Sequence, residues 1–350
     1  MLLRNFIMQC TIVKDFVIAD SGKALVIDMY YIVFDLEWNQ SPEGKDFSKA
    51  DLPFEIIQIG AVKLNEKFET MSQFNRFVKP TVYHTLHKKV GELLNVTMED
   101  IVDKGGSFVD IFKEFIQWCG ESYIFCTWGS MDLTELQRNM KFYNIDYQFD
   151  KPLLFYDVQK LYSLCFQDGK QRITLQHAIE QLELPQIEGY HAADNDARYT
   201  AQVLSLIDMK KVEIFYSVDT FYPPMTRKDE IHLDFGLYEK YISKGFATRE
   251  IAASDREVRS CKCFRCKKAA KRVIKWFSTN NKAYYGLFQC EEHGLIKGRI
   301  RIKCSDDGQY YAIKIMKLTD ETGAQYIKNK QNKEREHRKM VKLKASKEQK

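Results

Sequence analysis

The chain has 350 residues, of which 45% are hydrophobic and 29% are charged. This length suits two domains, and the composition is that of a globular protein, which excludes a disordered or fibrous chain. No apolar run approaches the roughly 20 residues of a membrane span, and no signal-peptide cleavage site follows the N-terminus. We therefore expect a cytoplasmic protein that does not contact a membrane.

The charge is divided unevenly along the chain. Residues 1–215 carry 22 Lys and Arg against 31 Asp and Glu, whereas residues 216–350 carry 31 against 17. An acidic half joined to a basic half indicates a metal- or acid-using core with an appended part that holds nucleic acid. A basic tail that only improves solubility is the alternative interpretation.

The first half of the chain reads as an α/β domain on a mixed sheet, over residues 29–215. Apolar runs predict strands, and apolar positions three or four residues apart predict helices. The predicted strands are 30–38, 54–66, 73–80 and 123–128, with a strand running into a helix at 153–164. The predicted helices are 109–120, 132–144, 173–184 and 194–207, the last with Asp194 as its N-cap. No GxGxxG or GxxxxGK[ST] segment follows a strand, so nucleotide cofactor binding has no support.

The segments outside this domain have different sequence patterns. Residues 1–28 are predicted to be an N-terminal extension, and Met29, directly before the first strand, is our hypothesis for the biological start. Residues 216–258, interrupted by the sequence YPPM, are predicted to be a linker region. Residues 259–318 contain two predicted β-hairpins. The basic tail at 319–350 is predicted to be a solvated helix or disordered.

Acidic residues cluster at three places in the first domain. Asp35 and Glu37 alternate at the end of a buried strand, so both side chains point to one face. Asp132 opens a helix after the strand at 123–128 and would, taken alone, be a helix cap. His191 precedes a helix whose first turn carries Asp196. Each of these features is common in structural roles, and their order along one chain is far more specific.

That order is Asp35-x-Glu37, then Asp132, then His191-x4-Asp196, which is the DEDDh pattern. Over residues 30–207 the chain resembles the DnaQ-like 3′–5′ exonuclease superfamily, whose fold is RNase H-like. The resemblance extends to the second strand, EIIQIGAV at 55–62. The segment WGSMDLTELQRN at 128–139 is similar to the exonucleases that trim histone mRNA and small RNA at the 3′ end.

The resemblance implies a site and a reaction. Asp35, Glu37 and Asp196 would hold one Mg²⁺ or Mn²⁺. Asp35 would bridge to a second ion, which Asp132 supports through water. His191 would act as the general base, because an imidazole accepts a proton near neutral pH. The product would be a nucleoside 5′-monophosphate released from the 3′ end of a single strand.

Trp38 directly follows the second acid of the pattern. It is predicted to bind substrate by stacking on the terminal base, with packing in the core as the alternative. The WGSMD segment favours RNA over DNA as the substrate. A DNA 3′–5′ exonuclease of repair or proofreading is a second possibility. A regulatory module that binds nucleic acid or protein on a nuclease fold is a third.

A cysteine cluster marks the second domain. Cys263-x2-Cys266 and Cys290-x2-His293 are two short ligand pairs separated by a hairpin's length, which predicts one tetrahedral Zn²⁺ site. Gly294 allows the tight turn that such a ligand pair requires. This segment is similar to a zinc ribbon. Two further cysteines leave the choice of ligands open, namely Cys261 and Cys304. The interleaved basic and aromatic residues suit phosphates and bases, and a protein-docking surface is the alternative.

Overall fold

The computed structural model describes residues 17–18, 24–25, 29–44, 47–49, 51–185, 192–279 and 283–348. The chain divides into two compact units, of which the first ends at Asp219 and the second begins at Thr220. Most of the predicted N-terminal extension lies outside the described residues. None of the helices that the structure describes combines the length and the apolarity of a membrane-spanning segment.

The first unit is built on a mixed six-stranded sheet in the order β5-β4-β3-β6-β7-β8. In this sheet β3 is antiparallel to β4 and parallel to β6. A separate pair, β1 and β2, is antiparallel. The strands are β1 Val17–Ile18, β2 Ala24–Leu25, β3 Tyr30–Asn39, β4 Glu55–Leu64, β5 Thr70–Phe77, β6 Tyr123–Thr127, β7 Leu154–Asp157 and β8 Ser217–Val218.

Eight α-helices accompany the sheet in the described part of the first unit. They are α1 Lys88–Leu94, α2 Met98–Lys104, α3 Phe108–Cys119, α4 Met131–Phe142, α5 Val158–Phe166, α6 Leu175–Gln181, α7 Ala193–Leu206 and α8 Met209–Val212. The α/β prediction is confirmed. The short helices α1 and α2 were not predicted, because α1 buries no residue and α2 buries Ile101 alone, so neither has an apolar stripe in the sequence.

The two faces of the sheet support two separate cores. Along β3, alternate residues such as Phe34 and Leu36 join the core formed with α3 and α4. Val33, on the other face, joins the core formed with α5, α6 and α7. The long strand β3 is therefore buried on both faces, which explains its nearly unbroken apolar sequence.

Helix α7 lies unusually close to the sheet where it crosses β4. A Cβ atom at Gly60 would overlap the backbone of Ala193 and Asp194, so only glycine permits this approach. The side chain of Gln58, two residues earlier on β4, accepts a hydrogen bond from the Ala193 N–H at 3.3 Å. Gly60 is paired with Asp35 across the β3–β4 ladder, so the helix begins directly beside the predicted site.

The second unit contains an antiparallel six-stranded sheet in the order β11-β12-β13-β14-β10-β9. Its elements are β9 Ile231–Asp234, β10 Tyr238–Ile242, α9 Arg249–Ser254, β11 Lys271–Thr279, β12 Ala283–Cys290, β13 Gly294–Cys304, β14 Tyr310–Leu318 and α10 Glu321–Glu348. Both predicted hairpins are present, as the β11–β12 and β13–β14 pairs.

The predicted linker at 216–258 is wrong, because most of it is folded. Strand β10 pairs with β14 over five residues and continues the sheet with β9. Helix α9 packs its Ala252 and Ala253 into the core of the same unit. These elements are short and rich in charge, so their sequence carries little periodicity. The predicted basic tail is helix α10, whose Ala324 and Ile327 are buried against the sheet.

We predict that Gly60→Ala destabilises the first unit and removes its activity. The added methyl group must displace α7, and overpacking of this kind costs roughly 1–3 kcal/mol. Urea denaturation measures this loss. Gly91→Ala is the matched control, since the nearest atom to its Cβ is 3.9 Å away, on Leu86. That change should be neutral or stabilising, because alanine favours the helical conformation of α1. Equal stability of both variants would contradict the close contact.

Candidate active site and metal centre

Three carboxylates from two elements meet at one end of β3. Asp35 and Glu37 extend from the strand, and Asp196 extends from the first turn of α7. Oxygen atoms of these three side chains all lie within 4.8 Å of one another. The period-two geometry of β3 places the first two together, and the close contact of α7 with β4 brings in the third.

Asp132 lies beside these carboxylates without belonging to the group of three. It is the second residue of α4 and is only 5% exposed. Its Oδ1 atom accepts a hydrogen bond from the Leu36 N–H at 3.3 Å, so it contacts the strand between the other two acids. It is not the N-cap of α4, because Ser130 occupies that position. The fourth predicted acid is therefore fixed next to the site.

The electrostatics of the site show that its negative charges are crowded. Burial raises the pKa of the Asp35 carboxyl well above its ordinary value, and the neighbouring carboxylates raise it further. Burial, followed by Asp196 and Asp132, raises the pKa of Glu37 to about 8. Burial also raises the pKa of Asp132 to about 7, although backbone hydrogen bonds act in the opposite direction. Such a cluster favours a bound cation, which would stabilise the charged forms.

Three other sequence predictions have different outcomes. His191 lies outside the described residues, so its role stays a prediction. Asp194 is not the N-cap of α7, because the helix begins one residue earlier and Ala192 is at the cap. The Oδ1 atom of Asp194 instead accepts a hydrogen bond from Gln58 at 3.4 Å. Trp38 packs against Phe54 and the core shared with α3 and α4, so core packing is observed, and stacking on a base stays a prediction.

Gln58 is a residue of the site region that the sequence reasoning missed. It is 3% exposed. Its Oε1 accepts a hydrogen bond from the Ala193 N–H, and its Nε2 donates one to Asn75 Oδ1 at 2.9 Å. It therefore ties the start of α7 to the sheet. The sequence did contain a signal, because Gln58 is a polar residue inside the apolar run of the second strand. A polar side chain buried there needs hydrogen-bond partners.

The second unit brings together the four predicted zinc ligands, Cys263, Cys266, Cys290 and His293, with all ligand atoms within 4.8 Å. The Sγ atoms of Cys266 and Cys290 are 3.6 Å apart, and each of Cys263 and Cys290 has its Sγ 3.7 Å from His293 Nδ1. Ligands about 2.3 Å from a central Zn²⁺ in a tetrahedron lie about 3.7 Å apart. The donor set and its spacing therefore fit one zinc ion.

The surroundings of this cluster agree with the prediction. Gly294 has a φ of 78°, as the tight turn after the second ligand pair requires. Burial acts to raise the pKa of Cys290, but hydrogen bonds from His293 and the backbone outweigh it and lower the pKa to about 6. The thiolate is the form that binds metal. Cys261 and Cys304 are outside the group of four, and Cys304 is exposed at the end of β13.

Comparison with known families identifies the first unit. Residues 32–204 match the RNase_T family, which is described as Exonuclease. The match supports an exonuclease domain with an RNase H-like fold, and the acidic residues of this part follow the DEDDh order of 3′–5′ exonucleases. An exonuclease domain is a hydrolase that acts on nucleic acid, and DEDDh exonucleases use divalent metal ions. No curated protein matches the chain.

Several solved structures are similar to this chain at low identity. The nuclease domain of 3'hExo, a DEDDh family member bound to rAMP, has 20% identity over 54% of this chain and 96% of its own, with a TM-score of 0.45. Cell-death related nuclease 4 (CRN-4) has 17% identity over 69% and 87%, with a TM-score of 0.44. E. coli ExoI, in a zinc-bound complex with ssDNA, has 10% identity over 74% and 54%, with a TM-score of 0.44.

We predict that Mg²⁺ or Mn²⁺ binds the first unit more tightly as the pH rises from 6 to 8. The raised pKa values of Glu37 and Asp132 mean that the metal-free site holds protons in this range, and a metal ion must displace them. Each displaced proton changes the apparent affinity by up to tenfold per pH unit. Calorimetry in buffers of different ionisation enthalpy would count the protons released.

The same pKa values fix the sign of a stability change in the metal-free protein. Carboxyls whose pKa is higher in the folded state than in the unfolded state favour folding at low pH. This stability should be lost as the pH rises from about 4.5 through about 8, and metal should restore it. A metal affinity that does not change with pH would contradict both expectations.

Proposed function

We propose that this chain hydrolyses phosphodiester bonds from a 3′ end with two divalent metal ions. The observation that carries the proposal is the meeting of three acidic side chains from β3 and α7 within 4.8 Å. Asp35, Glu37 and Asp196 would hold one Mg²⁺ or Mn²⁺, because these ions prefer carboxylate oxygens. When bound, the two ions would acidify the attacking water and stabilise the leaving oxygen.

The acidic residues and His191 would have different roles in this reaction. Burial and then all three other acids raise the pKa of Asp35, and its carboxylate would help to hold both ions. Asp132, held by the Leu36 N–H, would support the second ion through water. His191, five residues before Asp196 in the sequence, would take the proton of the attacking water. The role of His191 rests on the family pattern.

The proposed substrate is a single strand, with RNA favoured over DNA, and the proposed product is a nucleoside 5′-monophosphate. The preference for RNA rests on the segment from Trp128 to Asp132. Within it, the indole N–H of Trp128 donates to the Ile173 carbonyl at 3.3 Å, which fixes the loop that leads to α4. Discrimination of the sugar requires contacts to the 2′-hydroxyl. A DNA exonuclease of repair or proofreading is the second candidate function.

We predict that the wild-type chain shortens 5′-labelled single-stranded RNA stepwise from the 3′ end in Mg²⁺ or Mn²⁺. Asp35→Asn and Asp196→Asn should each lower the rate by at least about a thousandfold, since each removes a metal ligand, while the fold is kept. Gel electrophoresis with an EDTA control measures this, and the ratio of RNA to DNA rates decides between the two substrates. Substantial activity in both variants would contradict the metal assignment. Tight binding without hydrolysis by the wild type would favour a regulatory binding module.

We further propose that the second unit binds one Zn²⁺ and contacts the nucleic-acid backbone. Alternate residues of β13 form a basic row that consists of Lys297, Arg299, Arg301 and Lys303. The residues that alternate with them, such as Ile296 and Ile300, are buried on the opposite face. The zinc ligand Cys290 is on that opposite side with Ile296, so the basic row and the zinc cluster occupy different faces of one sheet.

The basic row lies beside an aromatic ring, and like charges are crowded along it. Arg299 and Lys330 both approach the ring of Tyr285, with the charged groups 5.8 and 4.8 Å from its centre. Burial and the neighbouring Arg299 lower the pKa of Arg301, which shows that like charges are crowded here. Residues two apart on a strand are about 6.8 Å apart, so the row presents regularly spaced cations to an extended polyanion. A protein-docking surface is the competing interpretation.

We predict that two changes in the second unit have separable effects. Cys290→Ser should release zinc, because a tetrahedral site loses a thiolate ligand, and metal analysis would show the loss. The double variant Arg299→Ala and Arg301→Ala should keep zinc but weaken binding of a single strand. The slope of log K against log salt concentration should become less steep by about 0.7 per lost phosphate contact. Lys113→Ala, exposed on α3, is the control. Unchanged affinity and salt dependence in the double variant would favour the docking surface.

A further inference from the structure

Two wholly buried polar side chains lie just beyond the acidic cluster, at the end of the β3–β4 ladder. Asn39 is the last residue of β3, Glu55 is the first residue of β4, and the two are paired across the ladder. Both are 0% exposed. Neither has a part in the metal site proposed above. A buried amide and a buried carboxylate need hydrogen-bond partners, and both find them in the same segment, residues 81–87, called here the clamped loop.

Glu55 holds the first half of the clamped loop. Its carboxylate accepts hydrogen bonds from three consecutive backbone N–H groups, those of Thr81 at 2.6 Å, Val82 at 3.1 Å and Tyr83 at 2.8 Å. The hydroxyl of Tyr143, at the end of α4, donates to it at 2.6 Å. Hydrogen bonds to a carboxylate are about twice as strong as those between neutral groups, so this half of the loop is firmly fixed.

Asn39 holds the second half. Its Nδ2 donates to the carbonyls of Tyr83 at 3.1 Å and Thr85 at 2.9 Å, and its Oδ1 accepts from the His87 N–H at 2.9 Å. Both N–H donors and the oxygen of one amide are thus used on one loop. The phenol of Tyr83 adds a bond of 2.8 Å to the Leu52 carbonyl. The clamped loop is therefore fixed by side chains, although it contains no helix or strand.

The position of the clamped loop relates it to the proposed active site. Asn39 follows Glu37 by two residues, so the loop contacts β3 about 7 Å along the strand from that carboxylate. The ladder has an irregularity between Glu37 and Trp38, and bulges of this kind are common beside active sites. At the end of the loop, His87 has a buried Nδ1 with no hydrogen-bond partner within the described part of the chain.

We infer that Asn39 and Glu55 are positioning residues that hold the clamped loop as a fixed wall beside the 3′-terminal nucleotide. This inference rests on the proposed exonuclease function. A wall that is already ordered lowers the cost of binding, since no loop must be immobilised when the strand enters. It also keeps the scissile bond aligned with the acidic cluster, where small displacements cause large losses in rate. Neither residue touches the reacting atoms.

The test uses Asn39→Ala and Glu55→Gln in the full chain. Glu55→Gln keeps the shape but removes the charge that three N–H groups share. Each variant should raise the KM for a single strand by at least about tenfold. The affinity for Mn²⁺ without substrate should stay within about twofold of the wild type, because the metal site is untouched. Asn39→Ser is the milder change if Asn39→Ala fails to fold, as judged by circular dichroism.

Ser107→Ala is the matched control. Ser107 caps α3 in the same unit by accepting a hydrogen bond from the Asp110 N–H, so its loss lowers stability without touching the clamped loop. Its KM should be unchanged. An unchanged KM in the folded Asn39 and Glu55 variants would overturn this inference alone. A parallel fall in Mn²⁺ affinity would also overturn it, since the residues would then shape the metal site. A wild-type chain without hydrolytic activity would overturn the proposed function and this inference together.

Discussion

The close contact of helix α7 with strand β4 is the constraint on which the active site depends. The helix can approach the strand only because position 60 has no side chain beyond Cα, and the amide of Gln58 secures the first turn. Asp196, in that turn, thereby reaches the two acids of β3. A methyl group at position 60 would push α7 away from the sheet and would separate Asp196 from the two acids of β3. Packing between backbones thus decides the geometry of a group of charges.

The two units concentrate reactive groups in chemically opposite ways. The first gathers buried carboxylates, hard oxygen ligands whose mutual repulsion raises their pKa values. The second gathers thiols and an imidazole, soft ligands that suit zinc, and its Cys290 has a lowered pKa. The crowded carboxylates of the first unit would be stabilised by a cation, and the ligand spacing in the second unit fits one zinc ion. The ligand atoms of each unit would therefore select its ion, since oxygen ligands suit Mg²⁺ or Mn²⁺ and thiolates suit Zn²⁺.

Much of the fold and of the site could be predicted because local geometry repeats. Period-two alternation placed Asp35 and Glu37 on one face, and the spacing of Cys263, Cys266, Cys290 and His293 predicted a cluster that the structure contains. The elements that escaped prediction are those stabilised by contacts distant in sequence. Strands β9 and β10 have little periodicity of their own. Strand β10 is held by pairing with β14, some 70 residues away, and β9 pairs in turn with β10.

Other misses have the same physical origin. Asp194 has the chemistry of an N-cap, but the Gln58 side chain receives the first N–H of α7, and the helix starts one residue earlier than the sequence suggests. The clamped loop likewise depends on two side chains that read in the sequence as ordinary strand ends. Tertiary contacts override local preference where a polar residue is buried.

The pairing of Asp35 with Gly60 also bears on how the domain can misfold. The two residues occupy one rung of the β3–β4 ladder. A slip of a single residue between these strands would place the acids of β3 and Gly60 on opposite faces of the sheet. The acids and the first turn of α7 would then no longer meet on one face, so an out-of-register chain would lose the proposed metal site. Partly active, mispaired forms are therefore not expected, and activity reports directly on the fraction of chains with the correct strand register.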